Sequence, residues 1–386
     1  MICTAPVLFA PASADARVHH AALRDPAVMP VITAPTAYVI DAGSGRVLYA
    51  RDPHRRFVPA SLTKIMTAYV AFELIAEGRL RLDQRFTMHG DTFRQWHRVG
   101  STMFLENNSS TSVADLLEGI VTVSANDACV VLAEGVAGSV AGFTALMNAK
   151  ARELGLRDTH YNTPNGWMDQ GQTYVSAADL ATLSAALIAR HGDLYRRFFG
   201  HERAQFNGIE QNNHNPLYGH TPGADGVKTG FTGEAGYGFV GSVARGDRRV
   251  IFTLAGYGRP RDRADESRAI AEWAFAAWDV HPIVAAGARL GDVVVQGGTI
   301  RRVDLVAPAG YSLTVPHGQT PRYTLAVRMH SVVSAPIAKG QELGRLIVRA
   351  PGQPIMRLPL VAAAAVPAGG IAARLRDGLS HLAGWP

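Results

Sequence analysis

Strand-forming sequence clusters at residues 38–49 and again at 237–257, with helical sequence filling most of the stretch between, and this spacing constrains the fold more than any other feature. Tyr38-Val39-Ile40-Asp41 and Arg46-Val47-Leu48-Tyr49 flank Ala42-Gly43-Ser44-Gly45, which predicts a β-hairpin. Pro59 then precedes a long apolar helix over residues 60–76, closed by Gly78. Further helices are expected over 112–117, 127–135 and 141–154, the last stopped by Gly155. A second hairpin, 237–243 with 249–257, leads into a helix over 266–278. Strands at both ends with helices between predict an α+β unit: an antiparallel sheet whose first and last strands are neighbours, covered by helices.

After His281-Pro282 the pattern changes to short alternating strands at 292–295, 302–307, 323–328, 343–350 and 355–361, separated by turn residues. That predicts a small all-β, sandwich-like domain. A length of 386 residues suits one large domain and a smaller one. The expected division is a catalytic domain over 36–280, a β-domain over 281–366 and a tail over 367–386. In the tail, Ile371, Leu375, Leu379, Leu382 and Trp385 recur at helical spacing, with Arg374, Arg376, Ser380 and His381 off that stripe. Such an amphipathic helix can lie on a membrane surface. At the other end, residues 1–16 read as a truncated secretory signal, with an apolar stretch over 2–12 and a small-x-small site at Ala14-Asp15-Ala16. No basic residue precedes Arg17, which suggests a start codon assigned too far downstream. Residues 17–35, with Pro26, Pro30 and Pro35, read as an extended lead-in.

The basic residues sharpen the functional question. Net charge is +6, which favours anionic surroundings without choosing among nucleic acid, acidic lipid and acidic polymer. Of 38 Lys and Arg, only four are lysine: Lys64, Lys150, Lys228 and Lys339. Arg stays protonated, whereas a buried Lys can lose its proton, so scarce lysines mark candidate sites of proton chemistry. Of the two cysteines, Cys3 lies in the leader and Cys129 reads as a small buried apolar residue.

Ser61-Leu62-Thr63-Lys64 opens the first long helix, so Ser61 and Lys64 share one helical face. A serine needs a base to act as a nucleophile, and a desolvated, neutral lysine beside it is one. Backbone N–H groups at a helix start also suit the oxyanion of a tetrahedral intermediate. Ser124-Ala125-Asn126 stands at another helix start, where small polar residues are ordinarily caps. Lys228-Thr229-Gly230 offers a cation, a hydroxyl and a residue without a side chain on a strand, an arrangement that can hold a carboxylate against a closely approaching backbone. Each is weak alone. Together, in this order, they form the triplet shared by β-lactamases and penicillin-binding proteins, and two of the four lysines fall inside it.

Pro59-Ala60-Ser61-Leu62-Thr63-Lys64-Ile65-Met66-Thr67, residues 123–128, Met147-Asn148-Ala149-Lys150-Ala151 and Asp225-Gly226-Val227-Lys228-Thr229-Gly230 resemble the low-molecular-mass penicillin-binding proteins that are D-alanyl-D-alanine carboxypeptidases. The resemblance runs from about residue 36 to 386. It implies the serine β-lactamase and D,D-peptidase fold followed by a β-sandwich-like domain, and a periplasmic enzyme held at the outer face of the cytoplasmic membrane by its tail. It further implies that neutral Lys64 takes the Ser61 proton, with the N–H groups of Ser61 and Phe231 holding the oxyanion. Ser124 relays a proton, Asn126 binds the substrate amide, and Lys228 with Thr229, beside Gly230, holds the terminal carboxylate while its field keeps Lys64 neutral. Arg263 aligns with an Arg that assists carboxylate binding in relatives. The implied partners are peptidoglycan stem peptides and β-lactams as covalent inhibitors, with no nucleic acid, cofactor or metal. A β-lactamase of the same fold needs a second base in a Glu-x-x-Leu-Asn context; here Glu153 is followed by Leu156 and Arg157, so that motif is absent. A D,D-endopeptidase and a silent wall-binding or β-lactam-sensing module remain as alternatives.

Overall fold

The computed structural model describes residues 27–329 and 332–371. The leader and most of the tail, residues 372–386, lie outside them. Within the lead-in, residues 29–35 form no regular element, yet Ile32 and Ala34 are buried and Thr33 bonds Glu266 through both its N–H and its hydroxyl.

Both predicted hairpins form. The first is β1 (Thr36–Asp41) with β2 (Val47–Arg51). A 3-10 turn (Ala60–Thr63) leads into α1 (Lys64–Ala76). Then come β3 (Arg85–Thr87), α2 (Gly90–Trp96), β4 (Ser110–Ser112), α3 (Val113–Glu118), a π turn (Gly119–Val123), α4 (Asn126–Ala137), α5 (Val140–Glu153), α6 (Ala177–Arg190) and α7 (Gly192–Phe198). A small polar hairpin, β5 (Arg203–Phe206) with β6 (Ile209–Asn212), precedes β7 (Ala224–Thr232), β8 (Gly236–Arg245), β9 (Arg248–Tyr257) and α8 (Pro260–Ala276).

The sheet runs β2-β1-β9-β8-β7, so the first strand pairs antiparallel with β9, as expected from the two distant clusters. Successive residues point to opposite faces. Val39, Phe239 and Phe252 pack with Ile270, Ala271 and Ala274 of α8, whereas Ile40, Val240 and Ile251 join the core built around α1. Every residue of α1 from Lys64 to Phe72 is buried. Apolar residues all round a helix mark it as the centre of a core rather than a surface helix. α3 is capped by the Ser112 side chain, which accepts from the Asp115 N–H, and α6 by Ser176 in the same way from Asp179.

The second unit begins with β10 (Trp278–Val284), paired with β13 (Tyr311–Pro316). A six-stranded sheet follows in the order β14-β16-β17-β12-β11-β15, from β11 (Arg289–Gln296), β12 (Arg302–Val306), β14 (Thr324–Met329), β15 (Val332–Ser334), β16 (Glu342–Arg349) and β17 (Met356–Ala362). Its core is aliphatic, with Val293, Val295, Leu305, Leu313, Leu346, Val348 and Leu360 all buried. All five predicted strands are present; β10, β13 and β15 are additional. The units touch through the first hairpin: Ser44 Oγ lies 2.8 Å from Thr314 Oγ1, and Arg46 donates to the Pro351 carbonyl at 2.7 Å.

Candidate active site

Three segments converge where α1 meets the edge of the sheet. Ser61 sits in the 3-10 turn rather than in α1 itself, and the turn is entered through Ala60 at φ +48°. Two glycines let backbone press on this turn. A Cβ on Gly166 would lie 1.8 Å from the Ala60 carbonyl oxygen, and one on Gly230 would lie 2.8 Å from that of Pro59 and 3.0 Å from Leu62 Cγ. Gly230 is therefore the residue that brings β7 against the Ser61 turn. The glycine has a packing reason.

Lys64 begins α1 and is fully buried. Its Nζ donates to Ser61 Oγ at 2.9 Å, to Asn126 Oδ1 at 2.8 Å and to the Asn165 carbonyl at 2.7 Å. An ammonium has three protons, and all three are used. Burial nevertheless lowers its pKa to about 8, against the pull of the Asp127 carboxylate in the other direction. Asn126 is fixed from three sides, since its N–H donates to the Ser101 carbonyl at 2.7 Å and its Nδ2 to the Val99 carbonyl at 3.0 Å. One Nδ2 hydrogen remains for a substrate amide. Ser124 closes the π turn with a left-handed backbone, φ +66°, and is buried. A non-glycine held there is strained, and such strain collects at functional sites. Just beyond, Asp127 accepts from the N–H groups of Met103, Leu105 and Ala128, tying α4 to the segment that follows α2.

Lys228 and Thr229 are buried on β7, with Lys228 Nζ donating to the Thr229 carbonyl at 3.1 Å. β7 ends the sheet order, so one of its edges carries no strand among the described residues, while its face at Gly230 packs on the Ser61 turn. Burial, and next the charge of Lys64, lower the Lys228 pKa to about 7. The repulsion between the two ammoniums is mutual, so a proton on either lysine disfavours a proton on the other. Arg263, on α8, lies over the Tyr237 ring at 5.6 Å, and Tyr237 stacks on Phe231 at 4.1 Å. Its guanidinium is desolvated, which lowers its pKa, and its buried Nε has no hydrogen-bond partner among the described residues. The Phe231 side chain is half exposed at the end of β7.

Two participants are absent from the sequence reading. Asn165 supplies a Lys64 acceptor from a Pro164-Asn165-Gly166 turn; the turn is legible, but not what it packs against. His214 lies close enough to Lys228 and Arg263 to feel their charges, its pKa lowered by burial and then by those two groups. A lone histidine in an Asn-rich loop carries no sequence signal for that position. Cys129 is buried and in no disulfide among the described residues, its thiol pushed up to about 12 by burial, as expected of a small core residue.

The chain matches the D-alanyl-D-alanine carboxypeptidase family over residues 24–256 and the penicillin-binding protein 5 C-terminal domain over 278–368. It is 34% identical over 356 residues to the D-alanyl-D-alanine carboxypeptidase DacA of Haemophilus influenzae, covering 91% of this chain and 89% of that one. Penicillin-binding protein 5 from the same species superposes with a TM-score of 0.74 at 33% identity, covering 88% of this chain and 99% of the other. Penicillin-binding protein D2 of Listeria monocytogenes in its ampicillin-bound form superposes with a TM-score of 0.58 at 30% identity, over 64% of this chain and 99% of that one.

Proposed function

Since the chain belongs to the D-alanyl-D-alanine carboxypeptidase family, and so removes the terminal D-alanine of peptidoglycan stem peptides through a serine acyl-enzyme, we propose that Ser61 carries the acyl group and Lys64 takes its proton. The observation behind this reading is the 2.9 Å contact of Lys64 Nζ with Ser61 Oγ in a fully buried setting.

The carboxylate of the substrate enters beside Lys228 and Thr229, with Arg263 and His214 adding positive charge. Its arrival stabilises the Lys228 ammonium, and the repulsion between the two lysines then favours loss of the Lys64 proton. Neutral Lys64 accepts the Ser61 proton as Oγ bonds to the penultimate D-Ala carbonyl carbon. The N–H groups of Ser61 and Phe231 hold the oxyanion. As the tetrahedral intermediate collapses, the C–N bond breaks and the departing D-alanine amine receives the proton from Lys64 through Ser124. Water then attacks the ester, its proton passing to Lys64 and on to Ser61 Oγ. The free edge of β7 and the Asn126 amide align the stem peptide. Incubation with a diacylated pentapeptide ending in D-Ala-D-Ala should release free D-alanine, and Ser61→Ala should abolish both that release and labelling by penicillin. Full D-alanine release by the folded Ser61→Ala variant would overturn the assignment.

The same reading gives residues 36–280 to catalysis and 281–366 to a supporting β-domain. It holds the enzyme in the periplasm at the outer face of the cytoplasmic membrane through 367–386, whose apolar stripe is too short to span a bilayer. Deleting 371–386 should abolish sedimentation with anionic vesicles and leave D-alanine release unchanged; equal sedimentation of both forms refutes the anchor.

A further inference from the structure

Among the described residues β14 is the edge strand of the second sheet, with β16 as its one hydrogen-bonded neighbour, and all six of its residues are exposed. Its two faces differ. Leu325, Val327 and Met329 alternate on one of them, 42%, 37% and 47% exposed, opposite Val348, Leu346 and Gly344 of β16. Tyr323, 41% exposed, precedes this row. On the other face Arg328 stands directly opposite Arg345, and Arg357 of β17 lies opposite Ile347, the neighbour of Ala326. Like charges directly across a strand pair are destabilising. Arg345 has a partner in Glu342 at 2.7 Å, whereas Arg328 and Arg357 form no ion pair among the described residues. Arg328, Arg345, Arg357, Glu342 and Ile347 line a cavity of about 530 Å³ that also reaches Met329, Leu343 and Gly344 at the end of the strand pair.

An open edge bearing an apolar row is a template for another strand, and folded proteins normally blunt such edges. We propose that the free edge of β14 is a docking site for an extended acidic polypeptide segment, which adds to the sheet as a further strand. An added strand places alternate side chains on the same two faces as β14. Acidic residues on one side meet Arg328 and the arginines behind it, and apolar residues on the other cover Leu325, Val327 and Met329. Charge selects this occupant over a second copy of the chain, whose own β14 would bring another set of arginines to the same place. The backbone selects it over a lipid surface, because hydrocarbon leaves the N–H and C=O groups of the edge without partners.

The test is fluorescence anisotropy of the full chain with a labelled peptide, acetyl-Thr-Glu-Val-Glu-Val-Glu-Thr-amide. Saturable binding is expected. It should weaken by roughly tenfold or more in Arg328→Glu and in Val327→Asp. It should vanish when the glutamates are replaced by lysine, or when alternate peptide nitrogens are methylated, which keeps charge and removes the backbone donors. D-alanine release serves as the folding control, and Arg357→Gln replaces any variant that fails it. The proposal is overturned by absence of saturation, or by equal binding of the methylated peptide, which would mean a charged patch alone. Concentration-dependent dimerisation lost in Leu325→Asp would assign the edge to a second copy. Sedimentation with phosphatidylglycerol vesicles that falls in Arg328→Glu would assign it to the membrane.

Discussion

Replacing Lys228 with arginine should change the shape of the pH profile of acylation more than its height. On the mechanism proposed above the productive state has Lys64 neutral and Lys228 charged, whereas burial puts Lys64 at about 8, and burial with the Lys64 charge puts Lys228 at about 7. Lys64 gains its proton as pH falls through about 8, so acylation declines on the acid side. Lys228 loses its proton as pH rises through about 7, so acylation also declines on the alkaline side. The productive combination is therefore a minority form of the free enzyme across the neutral range. Because the ammoniums repel each other, the two limbs belong to the pair.

Arginine does not deprotonate in this range, so Lys228→Arg should remove the alkaline limb. On the acid side Lys228 already carries its charge in the wild type, so the acid limb should persist and remain set by Lys64. Lys64→Arg leaves no acceptor for the Ser61 proton and should cost at least about a hundredfold. The assay is the second-order acylation rate constant with a fluorescent penicillin from pH 6 to 10, which reports the free enzyme's groups. An alkaline limb that survives unchanged in Lys228→Arg refutes the reasoning. So does a Lys64→Arg variant that keeps more than about a tenth of the wild-type rate, a barrier difference of ~1.4 kcal/mol.

Gly230→Ala should displace the Ser61 turn, because its Cβ meets the backbone oxygen of Pro59 at 2.8 Å; acylation is expected to fall by more than about tenfold, with a modest loss of melting temperature measured by circular dichroism. Asp127→Ala leaves the N–H groups of Met103, Leu105 and Ala128 without their acceptor and should cost about 2 to 4 kcal/mol in urea unfolding. Penicillin should add its whole mass to Ser61 and leave slowly, since Glu153 is engaged by Lys150 at 3.0 Å and Arg190 at 3.4 Å and is not a second base; mass spectrometry that shows release within seconds contradicts this.

The sheet was legible because its strands carry period-two apolar sequence at both ends of the unit, and α1 because its apolar residues leave no polar face. Elsewhere the pattern is blunted. β10 contains Pro282 and the polar Asp279 and His281, and β13 ends in Pro316, so neither reads as a strand until the two are seen paired. The reacting groups are a different case. Ser61, Lys64, Asn126 and Lys228 are visible as residue types, whereas their coupling depends on turns that local sequence disfavours. Ala60 at φ +48° and Ser124 at φ +66° adopt backbone that sequence normally signals with glycine. Neither is glycine, so nothing at those positions announces a tight turn. What permits the Ala60 turn is written elsewhere, in Gly166 and Gly230, which clear space for the backbone that bears Ser61. The unfavourable conformations are therefore held by packing from distant segments, and the same packing buries Lys64 deeply enough to loosen its proton. Strain at Ala60, next to the proposed nucleophile, and the lowered pKa of Lys64 have one cause, the closure of β7 and the Asn165 turn onto the start of α1.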